Sequence, residues 1–598
     1  MISHLNLANG RPTCQMASND PRRRLCVKIN DRSINPAPVP YPYSPRANPV
    51  NKLPVAVEWT PPEWAERYWP NRLLTDYLDD AVNRHPDTVA LTGRSSMTGA
   101  TVTLSWRELR RRVDRMAAGL AGLGVGKGEV VACQLPNWWE FVALHLACVR
   151  IGAVTNPLMP IFRQRELRYM LAFARARVLV VPRLFRNFDY PSMVQAMRAD
   201  LPELHHVLVV GGTGEDAFEQ ILLARRWEDE CDTPALFAQR RGSPGDVVQL
   251  LYTSGTTGEP KGVLHSSNTL LGILLQYAKR LELTGGDVIL MASPMGHQAG
   301  FMYGLMMSPM LGAKLVLQDI WAPEEAARLI QDEGVTYTMG STPFLADLTD
   351  TPAIERYDIG TLRTFVSSGA PIPRVLVERA SRRLGARIIS AWGMTETGSV
   401  TTTIPGDPDD RIFGTDGVAL PGMEVRVADA ADRALPPGTE GRLQCRGIGN
   451  FVGYFMRPDL SQPTADGWFD TGDLAVMLEG GYIRITGRAK DILIRGGENI
   501  PVIEVENALY RHPAIREVAI VGMPDARLGE RACAFVSLHP GRSLDMAEMV
   551  AFLDTQQMAR QYFPERLEVL DELPHTASGK IQKFHLRELA RSLEPAAG

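Results

Sequence analysis

From about residue 70 onward, short apolar runs alternate along this chain with segments of helical periodicity. Val130–Gln134 and Val178–Pro182 have the length and composition of buried strands. Trp138–Arg150 and Arg163–Arg177 have the pattern of helices that pack on one side. Alternating strands and helices predict an α/β fold in which mostly parallel sheets are covered by helices. Ligands bind such folds beyond the carboxyl ends of the strands.

The character of the sequence changes twice after this α/β region. From about residue 410 to 488, short strands and turns predict a β-rich, β-barrel-like subdomain. From Val502, a helix and several strands predict a small α+β unit. With 598 residues the chain exceeds a single core. We therefore expect a flexible N-terminal arm (1–55), a large N-terminal domain of layered α/β sheets (56–488) and a small mobile C-terminal domain (489–598).

Composition excludes several classes of protein. A formal net charge of −4 gives no electrostatic footprint for nucleic acid. Seven scattered cysteines predict neither a disulfide framework nor a zinc site, and favour the cytoplasm. The longest uncharged stretch, Val288–Ala313, is interrupted by prolines and glycines, so no integral membrane segment is expected. The oligomeric state, monomer or homodimer, stays open.

The polar segment Tyr252–Val263 carries the strongest chemical signal. Its glycines let the backbone turn sharply, its hydroxyls donate hydrogen bonds, and Lys261 adds a positive charge. Only nine of the 64 basic residues are lysines, which adds weight to Lys261. The segment lacks the Gly-Lys-Ser/Thr of a Walker loop, yet its chemistry is that of holding polyphosphate.

A hairpin is indicated where Gly480–Gly481 separates two alternating runs. A register centred on a two-residue turn places Glu479 opposite Tyr482, and Asp473 opposite Arg488. The carboxylate and the guanidinium could hold a ribose diol and a phosphate together. A plain cross-strand salt bridge is the alternative.

Two further turns carry reactive side chains. Ala391–Thr397 follows a predicted strand and offers a flat indole, a hydroxyl and the carboxylate of Glu396, which suits Mg2+. A strand-end turn with a core tryptophan is the alternative. Lys580 ends a Gly-containing turn, from which it could neutralise a developing anion. Gly496 and Gly497 permit the close approach of a thin ligand.

Taken together, these segments resemble the acyl-adenylate-forming superfamily, which includes acyl-CoA synthetases, over residues 70 to 590. The ordered matching segments are Thr253–Gly262, Ala391–Thr397, Thr471–Asp473, Gly487–Glu506 and Pro574–Lys580. The resemblance implies two half-reactions: a carboxylate attacks the α-phosphate of ATP and pyrophosphate leaves, and then a thiol attacks the acyl-adenylate. Pro294–Gly304 and Ala391–Glu396 look most like cyclohexanecarboxylate-CoA ligases and related medium-chain acyl-CoA synthetases.

The resemblance also implies roles for individual residues. The residues expected to contact ATP or AMP are Thr253, Ser254, Gly255, Thr256, Thr257, Gly258, Lys261, Ser368, Gly369, Ala370, Trp392, Gly393, Met394, Asp473 and Arg488. The others are catalytic Lys580, Thr395 and Glu396 (which would also bind Mg2+), hinge Lys490, CoA-binding Gly496 and Gly497, and acyl-pocket His297, Gln298, Gly300 and Phe301. Trp392 would stack on adenine, and Asp473 with Arg488 would hold the ribose.

The leading hypothesis is therefore an ATP- and CoA-dependent ligase for an alicyclic or medium-chain carboxylic acid. A ligase that stops at the adenylate or loads a carrier protein is the second reading. An ATP-binding homologue that has lost catalysis is the third, and the joint presence of Glu396, Asp473, Arg488 and Lys580 argues against it.

Overall fold

The computed structural model describes residues 60–253, 260–369, 372–489, 493–495, 498–525, 528–556, 558–576 and 579–593. The predicted arm (1–55) lies outside the described residues. So do the following predicted site residues: Ser254, Gly255, Thr256, Thr257, Gly258, Ala370, Lys490, Gly496 and Gly497.

The described strands alternate with helices as the sequence predicts. The strands are β1 (Val89–Arg94), β2 (Thr101–Ser105), β3 (Val130–Cys133), β4 (Val154–Pro157), β5 (Val178–Pro182), β6 (Leu184–Phe185), β7 (Phe188–Asp189), β8 (His206–Val210), β9 (Val247–Thr253), β10 (Lys261–Ser266), β11 (Val288–Met291), β12 (Lys314–Gln318), β13 (Tyr337–Gly340), β14 (Thr364–Ser368), β15 (Arg387–Met394), β16 (Gly398–Thr402), β17 (Val418–Ala419), β18 (Met423–Ala428), β19 (Glu440–Gly447), β20 (Gly453–Tyr454), β21 (Phe469–Met477), β22 (Ile483–Arg488), β23 (Leu493–Arg495), β24 (Glu498–Ile500), β25 (Ile515–Asp525), β26 (Gly529–Leu538) and β27 (Arg566–Val569).

The α-helices among the described residues range from one turn to almost five. They are α1 (Pro62–Tyr68), α2 (Leu74–Arg84), α3 (Trp106–Gly122), α4 (Trp139–Arg150), α5 (Gln164–Ala174), α6 (Tyr190–Met197), α7 (Thr233–Arg240), α8 (Ser267–Arg280), α9 (Gln298–Gly300), α10 (Met307–Leu311), α11 (Pro323–Glu333), α12 (Thr342–Asp350), α13 (Arg374–Leu384), α14 (Asp409–Gly414), α15 (Val502–Leu509), α16 (Met546–Thr555) and α17 (Lys583–Ser592). None of the described helices is long and apolar enough to cross a membrane.

Two large mixed sheets form the bulk of the fold. The nine-stranded sheet has the order β17-β16-β15-β14-β13-β11-β12-β1-β2, and the seven-stranded sheet β20-β10-β9-β4-β3-β5-β8. Their central strands pair in parallel, while the outer pairs β1/β2, β15/β16 and β9/β10 are antiparallel. The predicted α/β architecture is therefore confirmed. Leucines, valines and methionines from both sheets and from α3, α4 and α8 share one apolar core.

The β-rich region and the C-terminal region form separate sheets. β18-β19-β21-β22 is an open antiparallel sheet, so the described strands of the β-rich subdomain do not close into a barrel. The C-terminal sheet has the order β24-β23-β26-β25, with β27 beside β26, and α15, α16 and α17 pack on it. This unit is the small α+β domain that the sequence predicts.

Candidate active site

Three neighbouring strands of the nine-stranded sheet end at one edge. β13, β14 and β15 run parallel, with Gly340 opposite Ser367 and Ser368 opposite Ala391. Because parallel strands finish on the same side, the predicted nucleotide segments at Ser368–Gly369 and Ala391–Thr397 lie side by side. This is the edge at which α/β sheets bind ligands.

Trp392, Gly393 and Met394 belong to β15 and not to a turn that follows it. The antiparallel partner β16 extends the strand, and a bulge falls between Trp392 and Gly393. A Cβ atom at Gly393 would lie 2.0 Å from the carbonyl oxygen of Gly398, so only glycine allows this close pairing. The ladder therefore fixes the indole of Trp392, which is 9% exposed.

Asp473 joins two of the predicted nucleotide-binding side chains. Trp392 Nε1 donates a hydrogen bond to Asp473 Oδ2 at 2.9 Å, and Arg488 Nε lies 2.7 Å from Asp473 Oδ1. Asp473 itself is 4% exposed. A carboxylate has about four lone-pair sites, so each oxygen retains capacity for a ribose hydroxyl. The salt bridge and a sugar-binding role are therefore compatible.

The register of the hairpin is confirmed at its open end and wrong at its tip. Asp473 pairs with Arg488 as predicted. At the tip, however, Leu478 N donates to Tyr482 O, which leaves a loop of three residues in place of two. A bulge between Leu474 and Ala475 compensates for the additional residue and restores the pairing beyond it.

Glu396 follows β15 and has a partner that sequence reasoning missed. Tyr454 Oη donates to Glu396 Oε1 at 2.7 Å, and Lys261 Nζ lies 5.0 Å from the centre of the Tyr454 ring. Burial raises the pKa of Glu396, while the Tyr454 hydrogen bond and the charges of Lys261 and Arg488 oppose that rise. Tyr454 lies 58 residues away on β20, and no local pattern singles it out.

Lys261 is the first residue of β10, where it pairs with Thr253 of β9. The sequence placed this lysine inside a loop, but the two flanking strands form an antiparallel pair that includes it. A strand residue next to the polar segment can direct its charge more reproducibly than a loop residue can.

A buried histidine holds the carbonyl group of Thr395 in place. His265 Nε2 donates to the carbonyl oxygen of Thr395 at 2.7 Å. Burial lowers the pKa of His265 to about 4, so this imidazole is neutral near pH 7 and its Nε2 carries the proton that it donates. His265 was also not foreseen from the sequence.

The Lys580 turn lies against the nine-stranded sheet. A Cβ atom at Gly579 would lie 2.6 Å from Ser341 Oγ and 3.6 Å from Phe344 Cε2. Burial lowers the pKa of His297 to about 4, and the charge of Lys580 acts in the same direction. Lys580 therefore lies within electrostatic reach of the predicted acyl segment.

The four predicted acyl-pocket residues have different surroundings. His297 is half-buried, and Gln298 Oε1 accepts a hydrogen bond from Gln249 Nε2 at 2.9 Å. A Cβ atom at Gly300 would lie 2.3 Å from the Ser293 carbonyl oxygen, so its small size serves backbone packing. Phe301 is buried against other core aromatic rings. Their contribution to an acyl pocket stays a prediction.

A second buried amide holds this acyl segment between the sheets. Asn137, just before α4, donates from Nδ2 to the Ser293 carbonyl oxygen at 2.9 Å. Its Oδ1 accepts from Met295 N at 2.8 Å. Nothing in the local sequence indicates this link, because its partners are more than 150 residues apart.

The donor set around Glu396 fits a hard cation held jointly with a substrate. No group of three potential metal ligands occurs among the residues described in the structure. Mg2+ needs no such cage, because it is commonly bound by one or two carboxylates, substrate phosphates and water. One buried carboxylate near Lys261 matches that mode.

A large N-terminal α/β domain followed by a small C-terminal domain is the fold of the adenylate-forming enzymes. Residues 78–455 match the AMP-binding enzyme family, and residues 504–580 match the AMP-binding enzyme C-terminal domain. The chain belongs to this family.

Similarity to individual proteins extends over most of the chain. It is 37% identical to a medium-chain fatty-acid–CoA ligase of Escherichia coli (87% of this chain, 91% of that protein). It is 36% identical to a salicylyl-CoA synthase / salicylate adenylyltransferase of a Streptomyces species (90% and 97%). The structure of the anthranilate CoA ligase AuaEII with anthranoyl-AMP superposes with a TM-score of 0.77 at 26% identity (88% and 99%). The protein is thus an AMP-forming acid–thiol ligase.

Proposed function

We propose that this protein joins a carboxylic acid to CoA at the expense of ATP. The acid is an alicyclic, cyclohexanecarboxylate-like acid or a medium-chain fatty acid. In the first half-reaction a carboxylate oxygen bonds to the α-phosphorus, the bond to the β-phosphate breaks, and pyrophosphate leaves. In the second, the thiol sulfur bonds to the acyl carbon and AMP leaves.

The contact of Gly579, the neighbour of Lys580, with Ser341 and Phe344 at the strand edge is the observation that carries this proposal. Lys580 would then lie where an acid bound beside His297 presents its carboxylate; burial lowers the pKa of His297 most, and the charge of Lys580 lowers it further. The charge of the lysine would balance the negative charge that accumulates as the carboxylate approaches the α-phosphate. Large and small domains would then meet near residues 488–489, with Lys490 as the hinge between the two half-reactions.

The nucleotide would bind along the edge formed by β14 and β15. Trp392 would stack on adenine beside Ser368 and Gly369, and Asp473 would accept from the ribose hydroxyls. Thr395 would contact the α-phosphate. Glu396 would hold Mg2+, which when bound would neutralise charge on the phosphates.

The polar loop would hold the β- and γ-phosphates, and the glycine pair Gly496–Gly497 would line the path of the CoA arm. A carrier protein is the alternative thiol acceptor. The name of the Streptomyces relative, which combines CoA ligation with adenylyl transfer, favours testing both acceptors. The family match and the assembled side chains favour catalysis over a purely regulatory ATP-binding role.

Two assays test the proposal. Acid-dependent exchange of labelled pyrophosphate into ATP reports adenylation, and thiol consumption reports CoA ligation across a panel of alicyclic, medium-chain and aromatic acids. Exchange without thioester would support the carrier-loading alternative. Activity restricted to aromatic acids would contradict the proposed substrate class.

Replacing Lys580 separates the half-reactions. Lys580→Ala should cripple adenylation, whereas thioester formation from supplied acyl-adenylate should largely survive. Lys279→Ala is the matched control, because Lys279 is an exposed lysine of α8. Equal loss of both half-reactions in Lys580→Ala would contradict the proposed role of this lysine.

A further inference from the structure

The hairpin that ends in Lys580 is closed by hydrogen bonds at its base. Thr576 N donates to Lys580 O at 2.7 Å, and Lys580 N donates to Thr576 Oγ1 at 3.0 Å. His575 forms a bridge with Ile581 immediately outside this ring. The position of His575 therefore controls where the base of the hairpin, including Lys580, lies, while Gly579 belongs to the turn that the base supports.

His575 is tied to the small-domain sheet by an ion pair. His575 Nε2 lies 2.8 Å from Glu517 Oε1 on β25, and Ser537 Oγ donates to Glu517 Oε2 at 3.0 Å. The Glu517 carboxylate raises the pKa of His575, against the effect of burial. Both partners are partly shielded from water, which strengthens a charge-assisted contact relative to a surface pair.

The charges on this part of β25 act on a residue of the large domain. Glu517 and its neighbour Arg516 both influence the pKa of Asp347 on α12, which burial raises. Trp321 Nε1 donates to Asp347 at 2.8 Å, and the Trp321 ring packs on Phe344, 4.6 Å between centres. Phe344 is the α12 residue that Gly579 contacts. Gly579 therefore contacts α12 about one turn from Asp347, the residue on which the charges of Glu517 and Arg516 act.

We propose that the His575–Glu517 pair is a positioning device for the first half-reaction: it fixes the base of the Lys580 hairpin on β25 so that the turn at Gly579 fits α12 and Lys580 reaches the acid. His575 touches neither substrate and acts through Lys580. The inference rests on the proposed function, since it assigns the pair to adenylation and not to thioester formation.

The device depends on the charge of His575. A histidine whose pKa is raised by a carboxylate contributes fully below the ordinary value of ~6.5, and its contribution is lost as pH rises through the raised value. The titratable and charged groups around the pair, in the described chain, are Arg516 on β25, Tyr510 at the end of α15 and Asp347 on α12. Adenylation should therefore weaken as pH rises through the raised pKa of His575.

Three variants test this role. His575→Gln keeps a polar side chain of similar size without the charge. It should lower the rate of acid-dependent pyrophosphate exchange at pH 7 by about tenfold, the order expected for one ion pair that is partly shielded from water. Thioester formation from supplied acyl-adenylate should stay within about twofold. His575→Lys, cationic at every pH tested, should restore exchange and flatten its pH profile between 6 and 9. His585→Gln, which alters an exposed histidine paired with Glu588 on α17, is the control.

The possible results distinguish a positioning role of His575 from a structural role and from a failure of the proposed function. Unchanged exchange in His575→Gln, or no rescue by lysine in a variant with an unaltered melting temperature, would overturn the proposal. An equal fall of both half-reactions would assign His575 a merely structural role and would also overturn it. Absence of acid-dependent exchange in the unmodified protein would instead overturn the proposed function itself.

Discussion

Gly579 allows the sharpest test of how the small domain meets the large one. It adopts φ +80°, a left-handed conformation that costs other residues about 1–2 kcal/mol. A Cβ atom there would lie 2.6 Å from Ser341 Oγ, whereas real Cβ contacts essentially never fall below 3.0 Å. In Gly579→Ala, the backbone strain is therefore accompanied by a clash that exists only while the hairpin contacts α12.

Gly541→Ala separates these two costs. Gly541 lies in the same small domain with φ +74° and has nothing within 4 Å of a built Cβ. Both variants should lose about 1–2 kcal/mol in urea unfolding, because both force alanine into a left-handed conformation. Only in Gly579→Ala must the added methyl group also gain about 0.4 Å from Ser341 Oγ, either by a retreat of the hairpin or by a rotation of the buried Ser341 side chain.

The retreat should appear in the rate of adenylation. If it destabilises the contacted state by about 1.4 kcal/mol, pyrophosphate exchange falls about tenfold. Exchange in Gly541→Ala should stay near that of the unmodified protein. Adding Ser341→Gly to Gly579→Ala should recover most of the rate, because Ser341 Oγ is buried and has no hydrogen-bond partner among the described residues. Equal slowing in the two alanine variants, or no effect of Gly579→Ala on exchange, would refute the reasoning.

Three other substitutions probe the nucleotide side and the pH dependence. Tyr454→Phe removes the hydrogen-bond donor to Glu396, so the pKa of Glu396 should rise further. At pH 6 the variant should therefore need more Mg2+ for half-maximal pyrophosphate exchange. An unchanged Mg2+ requirement would contradict this. Trp392→Phe keeps an aromatic face but loses the bond to Asp473, and should raise the KM for ATP about tenfold, as one lost buried hydrogen bond implies. Burial raises the pKa of Asp416 to about 6, so its ionised form destabilises the fold. Asp416→Asn should therefore raise the free energy of unfolding above pH 6 and lose this advantage near pH 4, as urea titrations would show; a pH-independent difference would oppose it.

Local periodicity was sufficient to predict the layered sheets, because each strand and helix carries its own pattern of apolar residues. The open end of the hairpin was predicted for the same reason, although its tip was not, since a two-glycine signal does not reveal a bulge at Leu474. Contacts between distant segments escaped prediction. Tyr454, His265 and Asn137 each support a site residue from another part of the chain, and nothing in their immediate sequence indicates the partner.

The glycines of the predicted acyl pocket also show what the sequence does not reveal, namely what occupies the space beside them. A small residue in a predicted pocket suggests room for a ligand, yet the space beside Gly300 is filled by the backbone of Ser293 and Pro294. Sequence alone does not distinguish room for substrate from room for another backbone segment. The residue types at this edge of the sheet were therefore more predictable than the shape of the space between them.

Because of the bulge in the Asp473–Arg488 hairpin, the length of the loop at its tip does not determine whether Asp473 and Arg488 pair. Because one strand takes up the surplus residue before the ladder reaches Asp473, changes at residues 479–481 need not propagate to the opposite end. The loop at the tip should therefore tolerate the insertion of a peptide tag or a fluorescent reporter. A single residue inserted past the bulge would instead turn Asp473 or Arg488 to the other face of the sheet, and the two side chains would no longer meet.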